Sequence, residues 1–201
     1  MLIRGLELNS KPDPVVSVIV PTYNSAEWLE LCLKSVEMQT YPHVEIIVVD
    51  KGSDDGTQEI ARRHCSVITS GKERSEQRNY GAKLSHGEYL VFLDSDIELT
   101  PKVVEESLDK MKEGYDAVIF PEVVAGEGYW GNCRALEAMC YLGDDLIEAP
   151  RFIRVSVFKE AGGFDETLTG WEDWDLSQKI RRRKRRIGRT KALTIHHEGH
   201  V

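Results

Sequence analysis

No apolar run in this 201-residue chain approaches the roughly 18 residues that a membrane span requires, so spanning-helix transport and channel functions are set aside. Met1 is followed by Leu-Ile-Arg-Gly rather than by the long apolar stretch of a secretory leader. That absence predicts a cytoplasmic protein, or one peripheral on the cytosolic face of a membrane. Cysteine is scarce: Cys32, Cys65, Cys133 and Cys140 lack the C-x-x-C spacing of zinc and redox sites, and reduced, small core residues are expected. Positive charge is in deficit, with a net charge of −8, which argues against a general nucleic-acid binder. Internal repeats and linkers are missing too, and the length suits one domain with a substantial core rather than two.

What the chain does have is alternation of strand and helix signals. After a polar lead-in over 1–14 with Pro12 and Pro14, the β-branched run at 15–20 predicts a buried strand that stops at Pro21-Thr22-Tyr23-Asn24-Ser25. Asn24 or Ser25 can cap the helix predicted over 26–38, where Trp28, Leu29, Leu31, Cys32 and Val36 recur near the helical period. The unit repeats as a strand over 44–49, a polar loop from Asp50 to Thr57, a helix over 58–64 and a short strand over 65–69. A helix over 75–84 and a strand over 88–93 follow. Such alternation demands crossover connections, hence an α/β fold with a mostly parallel central sheet and helices on both faces. Further on, the spacing predicts a helix from Pro101 to about 112, a strand over 117–120, a helix over 129–142, a strand over 152–158, a helix over 175–183 and a last strand over 192–195.

The strand at 88–93 ends abruptly in Asp94-Ser95-Asp96. In an open α/β sheet, ligands bind at the carboxyl ends of the strands. Two oxygen donors at this spacing suit a hard divalent cation that carries phosphate, although a helix-capping role would need the same residue type. The clusters at 21–24, 50–57 and 94–96 converge on one sheet edge. Trp171-Glu172-Asp173-Trp174-Asp175 and the histidines His196 and His197 stand at later ends. A separate feature is a run of six cations from Arg181 to Arg186; setting it aside from the net −8 leaves −14 on the remainder. Such a block is a solvated helix face or a docking surface for phosphate or anionic lipid.

The order of these clusters resembles the family 2 glycosyltransferases, nucleotide-sugar enzymes of the GT-A fold. The resemblance rests on Val18-Ile19-Val20-Pro21-Thr22-Tyr23-Asn24, on Val48-Val49-Asp50 with Gly52-Ser53-Asp54-Asp55-Gly56-Thr57, on Arg78-Asn79, and on the stretch from Gly87 to Asp96. It continues through Gly162-Gly163-Phe164-Asp165-Glu166, Glu172-Asp173-Trp174-Asp175-Leu176 and the closing histidines, so it covers 15 to about 200. It implies a nucleotide-binding half over 15–100 and an acceptor-binding, catalytic half over 101–201. It implies an inverting, metal-dependent transfer from a UDP- or GDP-sugar to a hydroxyl on a glycan or lipid-linked saccharide.

The resemblance also implies roles. Pro21, Thr22, Tyr23 and Asn24 would line the nucleoside site with Gly52 and Ser53, and Asp50 would accept from a base N–H. Lys51 stands where the family commonly has a second acidic residue, which leaves the base open. Arg78 would lie near the diphosphate or base. Asp94, Ser95 and Asp96 would meet the donor, with Asp96 the more direct ligand of Mn²⁺ or Mg²⁺, Asp94 nearer the ribose, and His196 or His197 as a further ligand. Asp173 would be the general base and Glu172 its neighbour on the acceptor, with Trp171 and Trp174 offering faces to a sugar ring.

Two other readings compete. A nucleotidyltransferase or sugar-nucleotide pyrophosphorylase would want a Gly-rich basic loop after the first strand, where this chain has Pro-Thr-Tyr-Asn. A non-catalytic module would dock on a membrane or nucleic acid through Arg181 to Arg186. Under the enzyme reading no nucleic acid is expected as a partner, and the basic run would hold the enzyme at an anionic surface. The abrupt end after the histidine cluster is consistent with a longer natural protein whose acceptor-binding or membrane segments follow.

Overall fold

The computed structural model describes residues 12–125, 128–144 and 147–197; most of the lead-in, and His200 of the closing cluster, lie outside them. The first half runs β1 (Val16–Thr22), α1 (Leu29–Glu37), β2 (Val44–Asp50), α2 (Thr57–Ala61), β3 (Val67–Thr69), α3 (Arg74–Leu84), β4 (Tyr89–Phe92) and β5 (Ile97–Leu99). The second half runs α4 (Val103–Lys112), β6 (Ala117–Ile119), β7 (Glu122–Ala125), α5 (Gly128–Tyr141), β8 (Phe152–Arg154), α6 (Val155–Ala161), α7 (Glu172–Arg182), β9 (Ile187–Arg189) and β10 (Thr194–His197).

Seven strands form the main sheet in the order β3-β2-β1-β4-β8-β6-β9. The run β3-β2-β1-β4 is parallel, β8 is antiparallel to both its neighbours, and β6 and β9 are parallel. The period-two side-chain alternation of β1 splits the core in two. Val16, Val18 and Val20 pack in one apolar cluster with Leu29 and Leu33 of α1 and Val104 and Leu108 of α4. Ile19 packs on the other face with Phe158 of α6 and Leu176 and Ile180 of α7. Each such fully buried side chain contributes on the order of 1.5–3 kcal/mol of transfer free energy. Helix α3 lies so close to β1 that a Cβ on Gly81 would stand 2.5 Å from Ile19 Cγ2, so only glycine fits there.

Strand β1 runs on through Pro21, beyond the expected end. Leu93 N–H donates to the Ile19 carbonyl, and β4 has stopped pairing by then. Pro21 lies two residues on and faces the same side, where its missing N–H costs no ladder bond. The cap expected of Asn24 or Ser25 does not form: α1 starts at Leu29 after a turn, and Trp28 at its N-cap makes no side-chain cap bond.

The strand predicted over 152–158 is corrected: only Phe152–Arg154 is extended, and Val155–Ala161 is helical. Val157, Phe158 and Ala161 are the buried positions, a helical spacing that the accidental alternation of the segment hides. Gly162 N–H bonds to the Lys159 carbonyl and Gly163 N–H to that of Phe158, a helix ending that needs the positive φ of 87° at Gly162. Of the four cysteines, all free, Cys32 is buried but Cys133 and Cys140 on α5 are exposed, which corrects the expectation of core residues for those two.

A second, three-stranded sheet has the order β5-β10-β7. It joins segments far apart in the chain and sets His196 opposite Ile97, the residue after Asp96. The basic run is not one solvated face. Helix α7 ends at Arg182, and Lys184 turns the chain with φ 57°. Arg185 pairs with Glu160 and Asp116, and Arg186 lies over the Tyr115 ring.

Candidate functional site

The loops after β1 and β2 are laced together. Asn24 N–H donates to Ser53 Oγ at 2.9 Å, Asp54 N–H to Asn24 Oδ1 at 3.2 Å, and Ser25 N–H to Thr57 Oγ1 at 2.7 Å. Asp50 is the centre of this loop and is fully buried. Its Oδ1 accepts from Gly52 N–H, Ser53 N–H and Gln58 Nε2; its Oδ2 accepts from Thr22 Oγ1 and Ser53 Oγ. A carboxylate has about four lone-pair sites, so these donors saturate it. Burial opposes its charge, but the bonds from Ser53, Thr22 and Gly52 outweigh burial and hold its carboxyl below the usual range. Asp50 therefore orders the loop, and the expected acceptor for a base N–H is already occupied by the protein's own groups.

Tyr23 is exposed, with the Lys51 ammonium 5.0 Å from its ring centre; Lys51 also pairs with Glu73 at 3.2 Å. Tyr23, Lys51, Glu73, Arg74, Leu168 and Glu172 line a cavity of about 260 Å³. Ser95 Oγ bonds to Ser25 Oγ at 2.9 Å and so ties the acidic strand end to the first loop.

The acidic groups are organised by a guanidinium. Arg78, on α3, is 0% exposed. Its Nη2 meets Asp94 Oδ1 at 2.5 Å, while Nη1 meets Asp173 Oδ1 at 2.9 Å and Glu172 Oε1 at 3.4 Å. Nε has no hydrogen-bond acceptor, and the guanidinium lies 5.1 Å from the Phe164 ring centre. Glu172 is buried and also pairs with Arg74 at 2.7 Å, whereas the Asp173 side chain is 35% exposed. The second Asp94 oxygen accepts from Arg151 Nη1 at 3.0 Å. Burial works against the Asp94 charge, but Arg78, Arg151 and Arg74 prevail and hold its carboxyl far below the ordinary carboxylate range.

Arg151 continues to Glu122 at 3.4 Å, Glu122 to His196 Nδ1 at 3.1 Å, and His196 Nε2 to Asp96 Oδ2 at 3.3 Å. Alternating charges thus run from Asp173 to Asp96 through five intermediates. Bonds to Asp96 and Glu122 push the His196 imidazole up to about 10. His197, its neighbour on β10, faces elsewhere, stacked on Trp28 at 4.8 Å and bonded to Glu98 at 3.0 Å. Among the described residues no three His, Cys, Asp or Glu side chains converge as a complete metal cage. Asp96 and His196 face each other, carboxylate oxygen to imidazole Nε2 at 3.3 Å. Asp94 has both oxygens engaged by arginines.

Arg151 and Glu122 escaped sequence reasoning. Neither belongs to a motif, and β7, which carries Glu122, is four residues long. With Asp173, Phe120, Tyr141 and Glu148 they line a second cavity of about 250 Å³. Glu172 and Asp173, adjacent in sequence, thus face different cavities. A larger surface cavity of about 600 Å³, lined by Asn79, Lys83, Lys159 and Lys179 among others, holds none of these acidic groups from the strand ends. Trp171, in the left-handed region with φ 64°, and Trp174 are both exposed beside the acidic pair.

Comparison with known proteins gives the family and the fold. The family model described as glycosyl transferase family 2 matches residues 17–164. GlyA, a glycosyltransferase of Streptococcus pneumoniae serotype 4, is 34% identical over 157 residues, which are 73% of this chain and 21% of that protein. The glycosyltransferase AglE of Haloferax volcanii is 43% identical over 93 residues, 41% of this chain and 31% of that one. Among solved structures, S. aureus TarS 1-349 in complex with UDP-GlcNAc superposes with a TM-score of 0.76 at 23% identity, covering 93% of this chain and 59% of that one. The mannosyltransferase PcManGT from Pyrobaculum calidifontis, in complex with GDP-Man and Mn²⁺, gives 0.67 at 22% identity, covering 92% and 56%. The chain therefore spans about a third or less of these two curated relatives, and the two solved structures attest its fold. With nearly three-quarters of its residues inside the family match, the chain belongs to glycosyl transferase family 2.

Proposed function

We propose that the protein transfers a sugar from a nucleoside-diphosphate sugar to a hydroxyl acceptor with inversion at the anomeric carbon. One observation carries this reading: the carboxylate Asp173 is half-exposed in the 250 Å³ cavity while Arg78 fixes it against Glu172, which lines the other cavity. The 260 Å³ cavity takes the nucleoside against Tyr23, and the acceptor enters the second. Asp173 removes the acceptor proton as the hydroxyl oxygen attacks the anomeric carbon, and the bond to the departing diphosphate breaks on the opposite side. The base is read beside Tyr23 by Lys51 and Glu73 rather than by Asp50.

Asp96 and His196 would hold Mn²⁺ or Mg²⁺. A cation there would have to displace the proton between His196 Nε2 and Asp96; with it gone, Nε2 and the Asp96 oxygen are two donors to one ion, Glu122 orients the ring through Nδ1, and the pair fits. A bound cation supplies Lewis-acid stabilisation of the leaving diphosphate. Exposed Trp171 and Trp174 provide the apolar faces for an acceptor glycan. Residues 15–100 form the donor half and 101–201 the acceptor half. No helix among the described residues is long and apolar enough to cross a membrane.

The test is a thermal-shift panel of UDP, GDP, UDP-GlcNAc and GDP-mannose with and without Mn²⁺. A ligand at 100 times its Kd should stabilise by about 2.7 kcal/mol. Donors that stabilise are then followed for nucleoside diphosphate release, with water as the simplest acceptor. No stabilisation by any of them, together with no release, overturns the reading.

A further inference from the structure

We propose that the acceptor is a neutral sugar: the ring that offers the reacting hydroxyl carries no carboxylate and no phosphate. This deepens the reading above and rests on it. Among the described residues, the 250 Å³ cavity is lined by three carboxylates, Asp173, Glu122 and Glu148, against one cation, Arg151. The 260 Å³ cavity differs, setting Lys51 and Arg74 against Glu73 and Glu172 in even balance. A surplus of negative charge thus belongs to the acceptor side alone.

The wall of the acceptor cavity also takes hydrogen bonds far more than it gives them, because an ionised carboxylate has acceptor sites only. The cations that pair with these carboxylates do not face the cavity. Arg78, against Asp173, is buried, and Arg189, which pairs with Glu148, is not part of the lining. Arg151 gives Nη1 to Asp94 at 3.0 Å and Nη2 to Glu122 at 3.4 Å, and an anion drawn to its remaining N–H groups stands among three carboxylates. The hydroxyl on this wall, Tyr141 Oη, lies 3.5 Å from Glu137 Oε1. A sugar hydroxyl brings the donor that the wall lacks. A uronate or phosphate oxygen meets oxygen and like charge at once. Phe120, Ala138, Ile147 and Ala149 complete the lining and suit the C–H face of a ring. Asp173 receives the proton of one hydroxyl as that oxygen bonds to the anomeric carbon and the nucleoside diphosphate leaves; Glu122 and Glu148 accept from neighbouring hydroxyls.

The test offers the donor that stabilises the parent to matched acceptors: p-nitrophenyl glucoside and its glucuronide, the galactoside and its galacturonide, and N-acetylglucosamine and its 6-phosphate. Nucleoside diphosphate release is read above the rate that water alone gives. At least one neutral sugar should raise release, and its anionic counterpart should fall at least about tenfold below it in kcat/KM. At about 1 M salt, where the screening length shrinks to about 3 Å, that gap should narrow. Glu148→Gln can keep the bond from Gly143 N–H but removes one of the three charges, and it should narrow the gap several-fold. Release to water, an uncharged acceptor, corrects for any general loss in the variant, and where Glu148→Gln fails to fold, the salt series in the parent decides. The inference is overturned if an anionic acceptor serves as well as its neutral counterpart, if no neutral sugar raises release above that of water, or if the gap ignores both salt and the lost charge. A parent that releases nucleoside diphosphate to water but fails this comparison sinks only the inference. One that neither binds nor cleaves any donor sinks the proposed function itself.

Discussion

Asp50 and Asp94 occupy equivalent places, each just at or beyond the end of a parallel strand, yet they are satisfied by opposite chemistry. Asp50 is met by hydroxyls, amides and backbone N–H groups, most of them within eight residues of it. Asp94 is met by two arginines, one 16 residues before it and one 57 residues after it. Neutral local donors freeze a loop and stop there. A guanidinium has further N–H groups to give, so charge-paired Asp94 is bound into a relay that Asp50 has no means to join.

Several variants would break or sharpen that contrast. The largest effect is expected at the far end of the relay: Asp173→Asn should lower nucleoside diphosphate release by about 100- to 10,000-fold while donor affinity, read by thermal shift, stays within a few-fold. Arg78→Met should come next, because it strands buried Glu172 and part-buried Asp94 without their shared cation; a loss of about 3–5 kcal/mol is expected in urea unfolding. A loss under about 1 kcal/mol would mean that the relay is not a unit of the fold.

Asp50→Asn should cost less, about 1–3 kcal/mol, since it turns an acceptor into a donor that faces other donors. Its sign with pH is definite. The folded carboxyl lies below its unfolded value near about 3.9, so its contribution is fully present above that pH and fades as pH falls through the folded value. The parental stability curve should therefore drop below about pH 4 more steeply than that of the variant. Smallest is His197→Ala, which removes stacking on Trp28 worth about 0.5–1.5 kcal/mol and should leave Mn²⁺-dependent donor binding intact. His196→Ala should weaken that binding. The reverse pattern would exchange the roles of the two histidines.

Much of this was legible in the residues. The alternation from β1 to β4 follows from apolar strands punctuated by polar loops, and it put 21–24, 50–57 and 94–96 on one edge. Less legible was anything decided by a side chain's direction. Motif spacing places Asp94 and Asp96 together and His196 beside His197, but within each pair the two side chains meet different partners, and only packing reveals which. Arg151 and Glu122 carry no local signature, because their meaning lies in a pairing across 29 residues. The segment 155–158 misled because apolar residues at alternate positions satisfy a strand template even when Val157, Phe158 and Ala161 define a helical face.

The three-stranded sheet has a consequence in time. Its members come from 97–99, 122–125 and 194–197, so Asp96 waits for a partner 100 residues downstream. As a ribosome delivers the chain, β1 to β4 and the Asp50 loop can pair among themselves while β10 is still unmade. Closing so long a loop is entropically slow relative to local contacts. The Asp50 loop is thus the early product of synthesis, and the Asp96–His196 pairing the late one.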